Sequence, residues 1–177
     1  MAHNPDAVRE FIPLKIAVLT VSDSRTEETD TSGALLVKRI GEAGHKLAVK
    51  QIEPDDIYRI RAAISQWIVD PDIQVVITTG GTGITGRDGT PEAVAPLLDK
   101  VIDGFGEMFR ALAYDDIGTS TLQSRALSGV ANGTYIFCLP GSRGACKDGW
   151  DKLIVQQLDY RTLPCNLAEM MPRLTET

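Results

Sequence analysis

The residues with the most chemical potential share one short stretch, "TTGGTGITGRDGTPEAV", residues 78–94. Five glycines (Gly80, Gly81, Gly83, Gly86 and Gly89) crowd into ten residues of a chain that has 16 in all, with Arg87 and Asp88 embedded among them. Glycine lets backbone N–H groups come close to a ligand. A helix start follows at Thr90-Pro91-Glu92, with Thr90 placed to cap, Pro91 at the first helical position and Glu92 complementing the dipole. Such a junction can cradle a phosphate or a polar ring. Gly81 to Gly86 reads G-x-G-x-x-G, but the dinucleotide fingerprint needs its third glycine in the opening turn of the helix, and no acid ends a following strand at the usual distance. The same residues nearly match a P-loop, yet Arg87 replaces the lysine and Asp88 replaces the magnesium-holding Ser/Thr. Both classes are set aside. An acid beside an anion cradle is repulsive unless a metal or a proton lies between them, which points to Mg²⁺-assisted phosphate chemistry. The alternative is that Asp88 only stabilises the turn before Pro91.

The elements that must position this loop follow from the hydrophobic pattern. Residues 15–22, "KIAVLTVS", read as a strand buried on both faces. A helix over residues 32–44 ends at Gly44, a strand covers 45–52, and a helix covers 54–70 with Ile57, Ile60, Ile64, Trp67 and Ile68 on one core-facing side. A third strand, 73–79, leads into the glycines. Helix continues over 106–116 and extends to 121–127. Asn132-Gly133 between apolar residues marks a hairpin, and residues 143–161 read as a final helix. Alternating strands and helices predict a three-layer αβα fold of the α/β class, with a mostly parallel sheet and one antiparallel hairpin strand. The chain reads as a single domain over 1–177, with 1–13 as an N-terminal extension. Ligands of such folds sit outside the carboxyl ends of the strands, so the loops after the first, second, third and hairpin strands are the informative ones.

The net charge of −6 argues against nucleic acid as a partner. No apolar stretch reaches membrane-spanning length and the N-terminus has no secretory pattern. Cys138, Cys146 and Cys165 read as free thiols in a reducing cytoplasm, Cys138 buried and Cys146 exposed on a helix. His3 and His45 read as solvated surface residues, and the acidic run Glu27 to Asp30 reads as a solvated loop.

The glycine stretch resembles the signature of the MoaB/MogA family of molybdenum cofactor biosynthesis proteins. The segments "LTVSDSRTEETDTSG", "IEPDD", "IDGFGEMFR", "IGTSTLQSRALSGV" and "LPGSRGACKDGW" resemble that family in order and spacing, the MoaB branch more than MogA. The resemblance implies a molybdopterin-binding fold assembled as a homotrimer, or a hexamer of trimers. It also implies transfer of AMP from Mg²⁺-ATP, or use of GTP, to the terminal phosphate of molybdopterin, with the product passed to other proteins of the pathway. The resemblance puts the family's two functional acids on Asp55 and Asp88, the expected Mg²⁺ ligands; Asp56 is the competing position for the first, or else a helix N-cap. The backbone of Gly80, Gly81 and Gly83, with Thr82 and Thr90, would orient pterin or phosphate. Pro140, Gly141 and Ser142 form a second strand-to-helix junction. Ser124 and Arg125 would add hydrogen bonds and a cation, and Glu107 would hold a pterin or purine N–H pair. Ser22 and Asp23 line the first loop. Each has a plainer alternative: Glu107 a helix-start acid, Arg125 a partner for a surface acid, Ser142 a cap, Ser22 and Asp23 loop organisers. The competing function is a non-catalytic carrier or scaffold that binds the same ligands.

Overall fold

The computed structural model describes residues 9–176. Its elements are β1 (Lys15–Val21), α1 (Thr31–Glu42), β2 (Lys46–Glu53), α2 (Ile57–Ile68), β3 (Val75–Thr79), α3 (Thr90–Val94), β4 (Lys100–Val101), α4 (Asp103–Ile117), β5 (Leu127–Ala131), β6 (Thr134–Leu139) and α5 (Arg143–Gly149). α5 passes into a π-helical turn, Trp150–Ile154, and returns to α-helix through Val155–Gln157; a short helix, Leu167–Met170, follows. The six strands form one sheet in the order β2-β1-β3-β6-β5-β4. β1, β2, β3 and β6 run parallel, while β5 is antiparallel to both β6 and β4. This is the expected three-layer αβα arrangement.

β1 shows how the layers are held. Ile16 and Val18 point to one face and pack with Leu36 and Ile40 of α1, Phe109 of α4 and Trp150. Ala17, Leu19 and Val21 point to the other and pack with Ile60, Ile64 and Trp67 of α2 and Val94 of α3. A strand apolar on both faces belongs at the centre of a doubly covered sheet. The hairpin between β5 and β6 turns on Asn132 and Gly133, both at positive φ (49° and 80°), as the two-residue turn requires. Residues 9–13 fold back onto the C-terminal segment: Arg9 pairs with Glu169, and Arg161 lies over the Phe11 ring. The rest of the expected extension, and His3 with it, lies outside the described residues.

Several expectations are corrected. Residues 121–127 do not continue a helix; a 3₁₀ turn, Gly118–Gln123, leads into β5, because Leu127 onward pairs with β6. The last helix stops at Gln157 rather than Arg161, where Arg161 instead grips Asp159. Thr90 does not cap α3: Gly89 occupies the cap and makes no side-chain bond, while the Thr90 hydroxyl donates to Gly80 O at 2.9 Å. His45 is buried, not solvated; its Nδ1 accepts from Leu14 N, and burial holds the imidazole below its usual pKa. Cys146 is also buried, with Sγ 3.0 Å from Thr79 Oγ1. Within the acidic run, Asp30 is buried as the cap of α1.

Candidate functional site

β1 and β3 are neighbours in the sheet, α1, which follows β1, packs on one face and α3, which follows β3, on the other, so the chain diverges at the carboxyl ends of β1 and β3. That divergence opens a crevice. The cleft found there has a volume of about 780 Å³. Its floor is the glycine loop and the Pro140–Gly141–Ser142 turn. One wall is the loop after β1 with Asp55; the other is α4, the 3₁₀ turn and the start of α5.

The loop's path requires glycine at two positions. Gly80 sits at φ +103°, and a Cβ there would lie 2.1 Å from Val21 O; Gly81 sits at φ +63°, and its Cβ would lie 2.4 Å from Thr90 Oγ1 and 3.1 Å from Asp55 Oδ1. Glycine alone takes such backbone without strain and without filling the space. Thr90 N donates to Gly81 O at 2.9 Å and Gly80 N donates to Leu139 O at 3.1 Å, tying the loop to α3 and β6.

The acids are arranged around this floor. Asp55 and Asp23 clasp each other: Asp23 N donates to Asp55 Oδ2 at 3.0 Å, and Asp55 N donates to Asp23 Oδ1 at 3.1 Å. Arg87 grips Asp23 through two bonds of 2.9 and 2.7 Å, so the loop after β1 is pinned to the glycine loop. Arg87 holds the Asp23 carboxyl below its usual range. Asp55 goes the other way: burial, then the charges of Asp23 and Asp88, raise it. Asp88 accepts from Thr85 Oγ1 and from Thr85 N, and these bonds hold it low. A Cβ on Gly83 would lie 2.7 Å from Asp88 Oδ2, so Asp88 abuts the loop floor. Asp56 faces elsewhere; its carboxylate caps α2, accepting from Tyr58 N and Arg59 N. Of the two neighbours, Asp55 is the one at the cleft.

Ser22, Asp55, Gly80, Gly81, Thr82, Gly83, Asp88, Ser124, Pro140, Gly141 and Ser142 all line the cleft. Four expected residues do not. Asp23 stands behind Asp55. Thr90 is buried beneath the loop. Arg125 offers its cation to the scaffold: Nε donates to Thr82 O and Gly83 O (3.3 and 2.8 Å), and the guanidinium pairs with Glu92. Glu107 is exposed on α4 outside the cleft and beyond the first turn, where Asp103 is the acid, so its position supports neither the ligand contact nor the helix-start role. Sequence reasoning missed the α4 wall (Phe109, Ala113, Asp116 and Ile117), whose i, i+4 spacing was available but reads as ordinary core pattern. It also missed Arg25, a basic side chain on the cleft wall, and Asp148 on α5.

Comparison with known proteins identifies the family and the fold. A family model described as "Probable molybdopterin binding domain" matches residues 17–160. The chain is 55% identical over 157 residues to Molybdenum cofactor biosynthesis protein B of Escherichia coli (strain K12), covering 89% of this chain and 92% of that one. The crystal structure of a Molybdenum cofactor biosynthesis protein B superposes with a TM-score of 0.86 at 41% identity, covering 96% of this chain and all of the other. The tungsten cofactor synthesizing protein MoaB from Pyrococcus furiosus gives 0.72 at 38% identity, covering 80% and 90%. The chain therefore belongs to the molybdopterin-binding domain family that contains the MoaB and MogA proteins.

Proposed function

We propose that this protein acts in molybdenum cofactor biosynthesis, binding molybdopterin and ATP in the cleft and transferring AMP to molybdopterin's terminal phosphate. GTP is the competing nucleotide. An oxygen of that phosphate attacks the α-phosphorus of ATP; the new P–O bond forms as the bond to the bridging oxygen breaks, and pyrophosphate leaves. The acceptor is its own nucleophile, so no Ser or Cys nucleophile is needed. The observation that carries the reading is the placement of Asp55 and Asp88 against the Gly81 and Gly83 backbone.

These two carboxylates suit Mg²⁺, which commonly takes one or two carboxylates plus substrate phosphates and keeps the rest of its water. Among the described residues no group of three His, Cys, Asp or Glu forms a closed metal cage. When bound, the ion would neutralise charge developing on the α-phosphate. The chain's own contribution is positioning: Gly80 N is tied to Leu139 O and Gly83 N to Asp88, so the Gly81–Thr82 backbone is the part of the loop that would orient the phosphates, and the Ser22 and Ser142 hydroxyls would donate to their oxygens. The homotrimer or hexamer of trimers is carried over from the family resemblance; exposed Met108, Tyr114 and Leu122 on and after α4 are apolar surface that a second copy would cover.

A second reading, ligand binding without turnover, is favoured by one observation. Asp88 already spends its charge on Thr85, as a purely structural turn acid would. A turnover assay separates the two. Protein, molybdopterin, Mg²⁺ and ATP should yield adenylylated product and pyrophosphate, lost in both Asp55→Ala and Asp88→Ala. Bound molybdopterin with no product would establish the binding module instead.

A further inference from the structure

The Asp30 carboxylate is fully buried, its side chain 0% exposed, behind the part of the cleft wall formed by Thr20 and Ser32. Four groups donate to it: Thr20 Oγ1 at 2.7 Å, Ser32 Oγ at 3.4 Å, Gly33 N at 2.9 Å and Lys50 Nζ at 2.9 Å. Burial opposes its charge, but Lys50, Thr20 and Gly33 hold it ionised and below the usual aspartate range. An ionised carboxylate only accepts. The Thr20 and Ser32 hydrogens therefore point into Asp30, and the lone pairs are what these hydroxyls have left to offer the cleft. The packing permits little else, since a Cβ on Gly33 would lie 2.2 Å from Asp30 Oδ2 and 2.4 Å from Thr20 Oγ1.

At Ser22 and Ser142 the polarity is reversed. Ser22 Oγ accepts from Ser24 N and Arg25 N, and Ser142 Oγ accepts from Ala145 N, so both keep a hydrogen to donate; Ser22 has only a 3.5 Å approach to Ser24 Oγ besides. Asp148, which also lines the cleft, adds acceptor oxygens to the helical side.

We propose that Asp30 is a positioning residue that sets the polarity of the cleft. Through Thr20 and Ser32 it makes an acceptor wall for the N–H groups of an amino-bearing heterocycle, leaving the Ser22 and Ser142 end to phosphate oxygens. A phosphate against Thr20 would meet lone pair with lone pair. The inference rests on reading the cleft as a pterin and nucleotide site. The amino group can come from a pterin or from adenine.

Calorimetric titration with two ligand pairs tests this. One pair is AMP and purine riboside 5′-monophosphate, which lacks the exocyclic amine. The other is 6-hydroxymethylpterin and its 2-deamino form. Thr20→Val should weaken the amino member of one pair about tenfold, the worth of one hydrogen bond, and leave its deamino partner unchanged. The pair that responds identifies the heterocycle at this wall. Thr20→Ser should restore the discrimination. Asp30→Asn, which preserves the cap, should also shrink it, because a neutral amide no longer forces the Thr20 hydrogen inward; this variant serves if Thr20→Val does not fold. The proposal is overturned if wild type shows no discrimination in either pair, or if the variants weaken both members of a pair equally or neither. Wild type that binds no pterin and no nucleotide would overturn the site assignment itself, and this inference with it.

Discussion

Gly80→Ala is the sharpest test of how the cleft floor is built. The new Cβ would stand 2.1 Å from Val21 O, well inside the 3.0 Å that real Cβ contacts keep, and its obstacle is backbone at the end of a central strand, which cannot rotate away. The residue would also be held at φ +103°, a conformation that costs a side-chain-bearing residue about 1–3 kcal/mol. Relief of the clash would strain the bonds from Gly80 N to Leu139 O and from Thr90 Oγ1 to Gly80 O, each worth about 1 kcal/mol. The total is about 3–5 kcal/mol, a large part of a typical domain's stability. At roughly 2–4 °C per kcal/mol for a chain of this size, melting should fall by about 10 °C. Gly86→Ala, in the same glycine run, is the control: a Cβ there meets nothing within 4 Å. It should be neutral or stabilising by up to about 1 kcal/mol, through a less flexible unfolded chain. Thermal unfolding of the two variants side by side is the assay. Gly80→Ala melting within about 2 °C of wild type, or Gly86→Ala proving as harmful, would refute the reasoning.

Further outcomes follow from the structure. Asp56→Ala should cost about 1 kcal/mol by uncapping α2 while leaving ligand binding intact; Asp55→Asn should abolish AMP transfer without loss of stability. The sign for Asp55 is set by its raised pKa: the folded protein holds that proton more tightly, so this group's contribution falls as pH rises from the ordinary aspartate value through the raised one, and Asp55→Asn should gain on wild type across that window in pH-dependent unfolding. Arg87→Ala removes a cation that favours ionised Asp55 and Asp23, so the acid limb of the activity profile should move to higher pH; an unmoved limb would show that Asp55 does not control it. Thiol titration of native protein should count Cys165 alone, because burial pushes Cys138 up to about 12 and Cys146 to about 11, and all three should react after denaturation. ATP titrated without Mg²⁺ should bind at least about tenfold more weakly than with it, because Asp55, Asp88, Asp116 and Asp148 all line the cleft; equal affinities would show that the acids do not face the phosphates.

The sheet was legible because its strands carry their own signal. β1, β3 and β6 are continuous apolar runs, Asn132-Gly133 specifies the hairpin turn, and Pro91 marks the start of α3. The glycine loop was legible for the same local reason. What failed needed distant partners. Asp30 reads as one more acid in a solvated run until β2 brings Lys50 and β1 brings Thr20 to it. His45 looks like a surface residue until Leu14 N finds its Nδ1 and the Trp150 ring packs beside it. Arg125 and Glu107 were placed through the family resemblance, and a matching motif does not say which face of an element meets the cleft. The α4 wall has the reverse problem: Phe109, Ala113 and Ile117 carry an ordinary amphipathic pattern, and only the missing neighbour on that side turns core into cleft.

The distribution of cations explains why the loop is built as it is. Arg87 and Arg125 lie in or near the glycine loop, and a ligand-first reading would aim both at phosphate. The structure commits Arg87 to Asp23, and Arg125 to Glu92 and two loop carbonyls. Among the described residues lining the cleft, Arg25 is the single basic side chain, and it already donates to Thr29 O. In the proposed site an anionic ligand would meet the Gly81–Thr82 backbone and the Ser22 and Ser142 hydroxyls, with a cation needed between it and the cleft's carboxylates, on a loop held in place by arginines outside the cleft lining. This division has a physical advantage. A guanidinium on a mobile stem must be ordered each time a ligand binds, whereas here that ordering is complete when the chain folds, and the donors left facing the ligand lie on backbone with little freedom to lose.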